Sequence, residues 1–370
     1  MKILYDATPL LMRSAGVKNY HHALLSRLLP SLGPQTLRLF PYLPGLAPNR
    51  NERSNYAPAS TVARLGAVLA ANYLRLPLGE CAARGADLFH LTHHLMHPPR
   101  RIRLTSLIHD PSCLLMPECH TASNVRYFRH FFRCVLPLLS GVIVPSEAVK
   151  RDLVERLGAS TNPITVIPHG VEERFFSPGP AAPARAAYHL PDQYILTVGS
   201  IEPRKNLLTL LEACLLLPES LRRAYPLVIA GAAGWKNASL RRAIEQSRSD
   251  GVRAIGYVAP EDLPAVYSQA AVFVFPSLYE GFGLPLLEAM AAGAPLVTSN
   301  ASAMPEIAGP AALTVDPRSP SELARAIERL LLNRAEAQAL AETDRCRARQ
   351  FTWERTAKLT MAFFERAAGA

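Results

Sequence analysis

The chain has 370 residues, more than one ordinary domain of about 100–200 residues and fewer than three, so two comparable lobes are expected. Hydrophobic residues at 49% and charged residues at 19% exclude a disordered, collagen-like or coiled-coil chain, and six cysteines exclude a disulfide scaffold. The net charge of +10 is uneven: residues 1–180 carry +9 and residues 181–370 carry +1, so the first half is expected to meet an anionic partner, either acidic lipid or nucleic acid.

Met1 to Asp6 runs straight into a strand-like segment without a signal-peptide pattern, which predicts a cytosolic protein. Short apolar runs then alternate with longer helical stretches, the pattern of parallel sheets covered by helices. In the first half Lys2–Asp6, Leu104–His109 and Gly141–Val144 read as buried strands, with another near Asp87–His90. The most apolar stretch, Val62–Leu78, is interrupted by Arg64, Asn72 and Arg75 and is too short to cross a bilayer, so any membrane contact is peripheral. Ser177–Ala184, with three prolines and a glycine, reads as the linker, with the domain boundary near 172–192. Strands follow at Tyr194–Val198, Leu227–Ala230, Val252–Ile255, Val272–Phe275 and Pro295–Thr298, and after about residue 318 the chain turns helical to a last helix over Ala357–Ala367. The reading divides the chain into a lobe at 1–175, joined by the C-terminal helix at 351–370, and a lobe at 190–350.

Two strand–turn–helix stretches could carry chemistry. Residues 276–293 leave a buried strand, turn through Gly281 and Gly283, and enter a helix at Pro285, aiming free backbone N–H groups at a bound anion. Glu280 precedes the turn, and Glu288 is expected in the first helical turn; both can accept hydrogen bonds from sugar hydroxyls. The plainer alternative is a helix start with a capping glutamate. In residues 198–206, Gly199 and Ser200 leave another strand and Arg204 and Lys205 stand side by side, where a planar fork and a point charge could together neutralise a diphosphate. The chain has no D-x-D pair, which fits a site that uses side-chain cations in place of a divalent ion.

Glu280 and Glu288, separated by seven residues, with Arg204-Lys205 in the preceding βα turn, resemble the E-x7-E signature and diphosphate-binding cations of the retaining GT-B glycosyltransferases of family GT4. The resemblance extends to Gly231–Trp235, Gly256–Val258 and Pro305-Glu306, and in the first half to Asp6–Leu10, Ser14–Tyr20, Ile108–Asp110, Val144–Ser146 and Ile167–Val171. It departs where the family often has two glycines: here Gly16 is followed two residues on by Lys18.

The resemblance implies an α/β GT-B architecture, two Rossmann-like parallel-sheet lobes facing a central cleft, with the acceptor on the first lobe and a nucleotide-sugar donor on the second. It gives Glu288 the ribose hydroxyls, Glu280 the hydroxyls of the transferred sugar, and Arg204 and Lys205 the charge developing on the leaving diphosphate. It adds backbone donors at Phe282, Gly283 and Leu284, base contacts at Tyr257 and Val258, donor contacts at Gly16, Gly199 and Ser200, and His109 at the reacting centre. The implied reaction is metal-independent, retaining transfer of a hexose, with GDP-mannose or a related donor favoured because Gly231–Trp235 resembles the mannosyl branch. The implied acceptor is a cell-envelope saccharide such as lipopolysaccharide, either free or lipid-linked.

Three other patterns are weaker. His90, His93, His94 and His97 fit neither a zinc-protease helix nor a finger, and no metal site is assigned. Arg126, Arg129 and Arg133, interleaved with aromatics and near Arg100, Arg101 and Arg103, suggest peripheral contact with an anionic membrane; no nucleic-acid recognition motif accompanies them. The alternatives are a GT-B nucleotide-sugar epimerase, which needs acid/base carboxylates and no second substrate, and a non-catalytic nucleotide-sugar-binding protein, against which the intact Glu280, Glu288, Arg204 and Lys205 argue. A dinucleotide oxidoreductase is disfavoured because neither glycine turn completes G-x-G-x-x-G.

Overall fold

The computed structural model describes residues 1–13, 16–51, 53–92, 94–159, 162–310 and 312–369. The chain forms two units: Met1–Leu114 with Ala122–Gly170 and Trp353–Ala370, and Leu115–Thr121 with Val171–Thr352.

The first unit holds β1 (Ile3–Asp6), β2 (Leu37–Phe40), β3 (Leu88–Leu91), β4 (Arg103–Leu107), β5 (Gly141–Val144) and β6 (Ile164–Val166). They form one parallel sheet in the order β2-β1-β3-β4-β5-β6. All four residues of β1, β3 and β5 are buried, as continuous apolar runs covered on both faces should be. The C-terminal helix Trp353–Ala368 belongs to this unit. Its Phe363 lies so close over β5 that a side chain at Gly141 would come within 3.0 Å of the ring.

The second unit holds β7 (Ile195–Val198), β8 (Leu227–Ala230), β9 (Val252–Gly256), β10 (Val272–Phe275), β11 (Leu296–Ser299) and β12 (Leu313–Val315). Its parallel sheet runs β12-β11-β10-β7-β8-β9, so the strand order reverses direction between β7 and β10. In such sheets the loops at the carboxyl ends of those two strands diverge and leave a crevice, which is where ligands bind.

The expected strands are all present within two residues at either end. Sequence reasoning missed β2, β6 and β12, which sit at or next to sheet edges; β6 and β12 are only three residues long and partly buried, and β2 carries Arg38. The linker reading needs correction. The division between units falls at Gly170/Val171, and the second half of the proline-rich stretch folds as helix Ala181–Tyr188. That helix is tied to the second unit by Arg185 to Gln269 and by the Tyr188 hydroxyl to Asp262 at 2.7 Å. A second surprise is Leu115–Thr121, held by Trp235 Nε1 donating to Cys119 O at 2.7 Å and Lys236 Nζ donating to Glu118 O at 2.7 Å.

Candidate functional site

The turn after β7 and the turn after β10 meet at the switch point of the second sheet. Pro203–Lys205 forms one turn of 3-10 helix, and Asn206, at φ 58°, reverses the chain into helix Leu207–Leu216. Asn206 Nδ2 donates to Pro276 O at 3.0 Å and Pro317 O at 2.6 Å, while Leu278 N donates to Arg204 O at 2.9 Å. These bonds fix the two loops against each other before any side-chain charge is counted.

The charges then interlock. Glu280 Oε1 accepts from Lys205 Nζ at 2.6 Å, and Oε2 faces Arg204 Nη1 at 2.8 Å. Arg204 also donates to Tyr279 O at 2.6 Å and, through Nη2, to Glu202 Oε1 at 2.9 Å. Lys205 Nζ lies 5.0 Å from the centroid of the Phe275 ring. The result is a neutral lattice of two cations and two carboxylates, mostly removed from water. Burial alone would raise the Glu280 carboxyl's pKa, but Arg204 and Lys205 lower it to about 2. Cations beside a helix start need an anion to offset the dipole, and here the protein supplies it.

Helix Leu284–Ala292 begins at Gly283, which has no side chain of its own to cap the first turn. Gly283 has φ +91°, a conformation that favours glycine, and a Cβ there would sit 2.5 Å from Met304 Cε, so that a larger residue would also displace the Met304 side chain. Glu288 lies one turn further along than expected, since no acidic residue occupies the first turn of this helix. Glu288 Oε2 accepts from the Tyr267 hydroxyl at 3.0 Å. Loss of water raises its pKa to about 7, with the Tyr267 bond and the Arg174 charge opposing and the Glu172 charge adding.

Among the other donor-contact candidates, Gly199 lies against the Lys205 stem, and the ends of β7 and β8 approach so closely that a Cβ on Gly231 would fall 1.8 Å from Gly199 O. Ser200, the next residue, is partly buried. Tyr257 and Val258 follow β9, two strands from β7; Val258 is buried, so a ligand there would meet its main chain. Phe282 is buried with its ring 6.0 Å from that of Phe351, which leaves backbone donation as its means of reaching a ligand.

The first unit gathers a second polar group at the carboxyl ends of its strands. Asp6, fully buried at the end of β1, accepts from Thr8 N at 3.0 Å and Thr8 Oγ1 at 2.6 Å; its other oxygen accepts from Thr92 N at 3.1 Å and from the Thr92 hydroxyl. His109, two residues past β4, sits edge-on to Tyr20 at 5.0 Å and lies 5.5 Å from both His21 and His169. Asp110 caps the next turn, taking Ser112 N at 2.8 Å. Gly16 opens helix Gly16–Thr36, while Ser14 and Ala15 of the same motif lie outside the described residues. Lys18 is fully buried and donates to Arg50 O at 2.8 Å and Arg53 O at 2.7 Å, and burial lowers its pKa to about 8. Lys18, two residues after Gly16, thus ties the start of this helix to the carbonyls of Arg50 and Arg53.

Of the four-histidine run, His90 is core, bonded to Thr105 Oγ1 at 3.0 Å, and His94 pairs with Thr92 Oγ1 at 3.0 Å; burial lowers them to about 3 and about 4. His93 lies outside the described residues, and His97 packs on His130.

Sequence reasoning missed Glu202, Tyr267 and Ser302. Glu202 stands in the same turn as Arg204 and could have been read as its counter-ion. Tyr267 and Ser302, whose Oγ accepts from Glu280 N at 2.9 Å, come from other elements and leave no local signal.

Comparison with known proteins fits this geometry. Residues 25–175 match the model described as "Glycosyltransferase Family 4" and residues 184–347 the model "Glycosyl transferases group 1". The chain is 30% identical over 368 residues to "O-antigen chain mannosyltransferase B" of Escherichia coli, covering 96% of this chain and 97% of that one. It is 32% identical over 230 residues to "Serotype-specific mannosyltransferase WbdA" of Escherichia coli, over 60% of this chain and 28% of that longer protein. Among solved structures it superimposes on sucrose-phosphate synthase from Thermosynechococcus elongatus with a TM-score of 0.74 at 22% identity, over 99% of both chains, a likeness of fold. With both halves matched in order and a relative aligned end to end, the chain belongs to the family 4, group 1 glycosyltransferases of GT-B fold.

Proposed function

We propose that this glycosyltransferase moves mannose or a related hexose from a nucleotide-sugar donor, GDP-mannose by preference, to a saccharide acceptor of the cell envelope, with retention of anomeric configuration and without a required metal. The observation that carries the reading is the lattice of Glu202, Arg204, Lys205 and Glu280 at the switch point of the second sheet. A diphosphate entering there meets two cations and the glycine-opened start of helix Leu284–Ala292, which together stabilise charge on the leaving group. Glu288 takes the ribose hydroxyls on the oxygen that Tyr267 leaves free. Glu280, once a phosphate relieves it of Lys205, accepts from the transferred sugar. The acceptor hydroxyl attacks from the face the diphosphate leaves, a phosphate oxygen takes its proton, and His109 orients the sugar. The mannosyl preference is supported by the two mannosyltransferases the chain resembles.

Thermal-shift titration with GDP-, UDP- and ADP-sugars tests the donor, since a bound nucleotide raises Tm by linkage. The expected result is a rise with GDP-mannose that persists in EDTA, followed by NMR of the glycosylated product showing the donor's anomeric configuration. A rise with no GDP-sugar would refute the donor assignment, loss of transfer in EDTA the metal independence, and an inverted product the retaining course. The basic residues Arg126, Arg129 and Arg133, all exposed, support peripheral contact with anionic lipid near a lipid-linked acceptor.

A further inference from the structure

Helix Pro58–Tyr73 is apolar on the side that faces water. It buries Thr61, Val68, Ala71 and Asn72, a narrow inward face. At 3.6 residues per turn, Ala59, Val62, Gly66, Leu69 and Tyr73 fall within about a quarter of the circumference on the opposite side, and all five are exposed. Val62 is 71% exposed, Leu69 53% and Tyr73 74%, and the chain continues through Leu74 at 71% and Leu76 at 44%. Tyr42, 75% exposed, adjoins them, because its carbonyl accepts from Arg64 Nε at 2.7 Å.

The polar residues that interrupt this stretch do not break the patch. Asn72 turns inward, donating to His94 O at 2.8 Å and accepting from Met96 N at 2.8 Å. Arg64, the one charged residue of the helix, lies along the protein, bonded to Tyr42 O and Ser60 O and placed over the Tyr56 ring. A surface helix ordinarily carries its charges outward; here they are bound back and the outward stripe is left bare.

The surroundings indicate what covers it. Residues 53–79 contain no aspartate or glutamate, and Arg53 and Arg75 stand exposed at either end of the helix. Tyr42 and Tyr73 add aromatic rings of the kind that settle at the level of lipid headgroups. No helix among the described residues is long and apolar enough to cross a membrane. A short helix with an apolar stripe, tyrosines and an exposed arginine beyond each end suits an orientation in the plane of the headgroups of an acidic bilayer. We propose that Val62, Leu69, Tyr73, Leu74 and Leu76 form an inserting surface by which the first unit docks on anionic membrane. This surface deepens the membrane reading and assigns the apolar contribution to a segment distinct from Arg126, Arg129 and Arg133.

The test is flotation of the full chain with vesicles of phosphatidylglycerol and phosphatidylethanolamine, against pure phosphatidylcholine, for the wild type, L69Q/Y73Q and R126Q/R129Q/R133Q. Leu69 and Tyr73 are more than half exposed and remote in sequence from the donor-site residues, so L69Q/Y73Q should keep the wild-type Tm and its activity on a soluble acceptor. The wild type should float only with the anionic vesicles. L69Q/Y73Q should lower the partition coefficient by at least about tenfold, because each large apolar side chain kept in water forfeits that order of transfer free energy. Binding by the wild type that L69Q/Y73Q leaves intact, or that is lost only in the triple-arginine variant, would overturn the proposal. So would equal flotation with phosphatidylcholine, or absence of lipid binding with a light-scattering dimer that L69Q/Y73Q dissolves, which would make a second copy the occupant. None of these readouts depends on donor identity, so failure of the donor assignment would leave this test standing.

Discussion

Replacing Glu280 with Gln keeps the side chain's size and removes its charge, stranding two cations whose side chains are each 11% exposed. The magnitude follows from the carboxyl's acidity: the ordinary value of 4.5 against about 2 in the fold corresponds to ~3 kcal/mol of preference for the charged form. Because the folded-state value is lowered, this stability is complete above pH 4.5 and is lost as pH falls toward 2. Urea unfolding of wild type and Glu280→Gln at pH 7 and pH 3 measures it. The variant should be less stable by ~3 kcal/mol at pH 7, or about 6–12 °C in Tm for a unit of this size, and the gap should narrow at pH 3. The same substitution should abolish sugar transfer while GDP alone still binds, since Arg204 and Lys205 remain. Equal stability at pH 7, or a gap that does not change with pH, would refute the lattice as the source of that stability.

Tyr267→Phe removes the hydrogen bond that helps keep Glu288 ionised, so the Glu288 pKa should rise above about 7; donor KM measured from pH 6 to 8.5 should be higher at the acid end and converge at the alkaline end, with kcat little changed. Asp344 is 1% exposed, neither of its oxygens has a hydrogen-bond partner among the described residues, and burial raises its pKa to about 7 against the opposing charge of Arg347. Its raised folded-state value means that the wild type loses stability as pH climbs from 4 through 7, so Asp344→Asn should unfold at higher urea than wild type at pH 8, by ~1–3 kcal/mol, and at similar urea at pH 4. Arg204→Lys should lower Tm by several degrees, because a single ammonium cannot span Glu202, Glu280 and Tyr279 O, whereas Lys205→Ala should retain most of the Tm and lose transfer by at least about a hundredfold.

Strands β7, β8, β10 and β11 of the second unit were legible because they are buried on both faces and therefore read as unbroken apolar runs, as Val272–Phe275 does. The residues of the charged lattice and of helix Leu284–Ala292 could be singled out for a different reason: a helix start after a strand has a local signature, and Arg204, Lys205, Glu280 and Glu288 all lie in such turns or the helices they open. Pairing between elements was not legible. Nothing in residues 263–268 marks Tyr267 as the donor to Glu288, and the binding of Leu115–Thr121 to Trp235 and Lys236 depends on contacts more than a hundred residues apart in the chain. The linker misled for the opposite reason. Its prolines at 180 and 183 stand at the start of a helix, where a missing N–H costs nothing, so composition alone could not separate a hinge from a helix start.

The two cations of the lattice are adjacent in sequence but unequal in constraint. Arg204 is gripped on three sides, by Glu202, by Glu280 and by the Tyr279 carbonyl, in a turn whose own carbonyl is held by Leu278 N. Lys205 has the one carboxylate, a flexible stem lying over Gly199 and the face of Phe275. An arriving diphosphate brings about two negative charges to a set that is already neutral, so its least costly course is to draw off the cation held by the fewest bonds. On the proposed reading Lys205 therefore moves to the phosphates while Arg204 stays as the fixed edge of the site, and that exchange uncovers Glu280 Oε1 at the moment a sugar hydroxyl is present to replace the lysine. Gly199, where a Cβ would lie 3.4 Å from Lys205 Cε, then has a consequence of its own: it leaves no side chain of its own against the Lys205 stem as that stem swings.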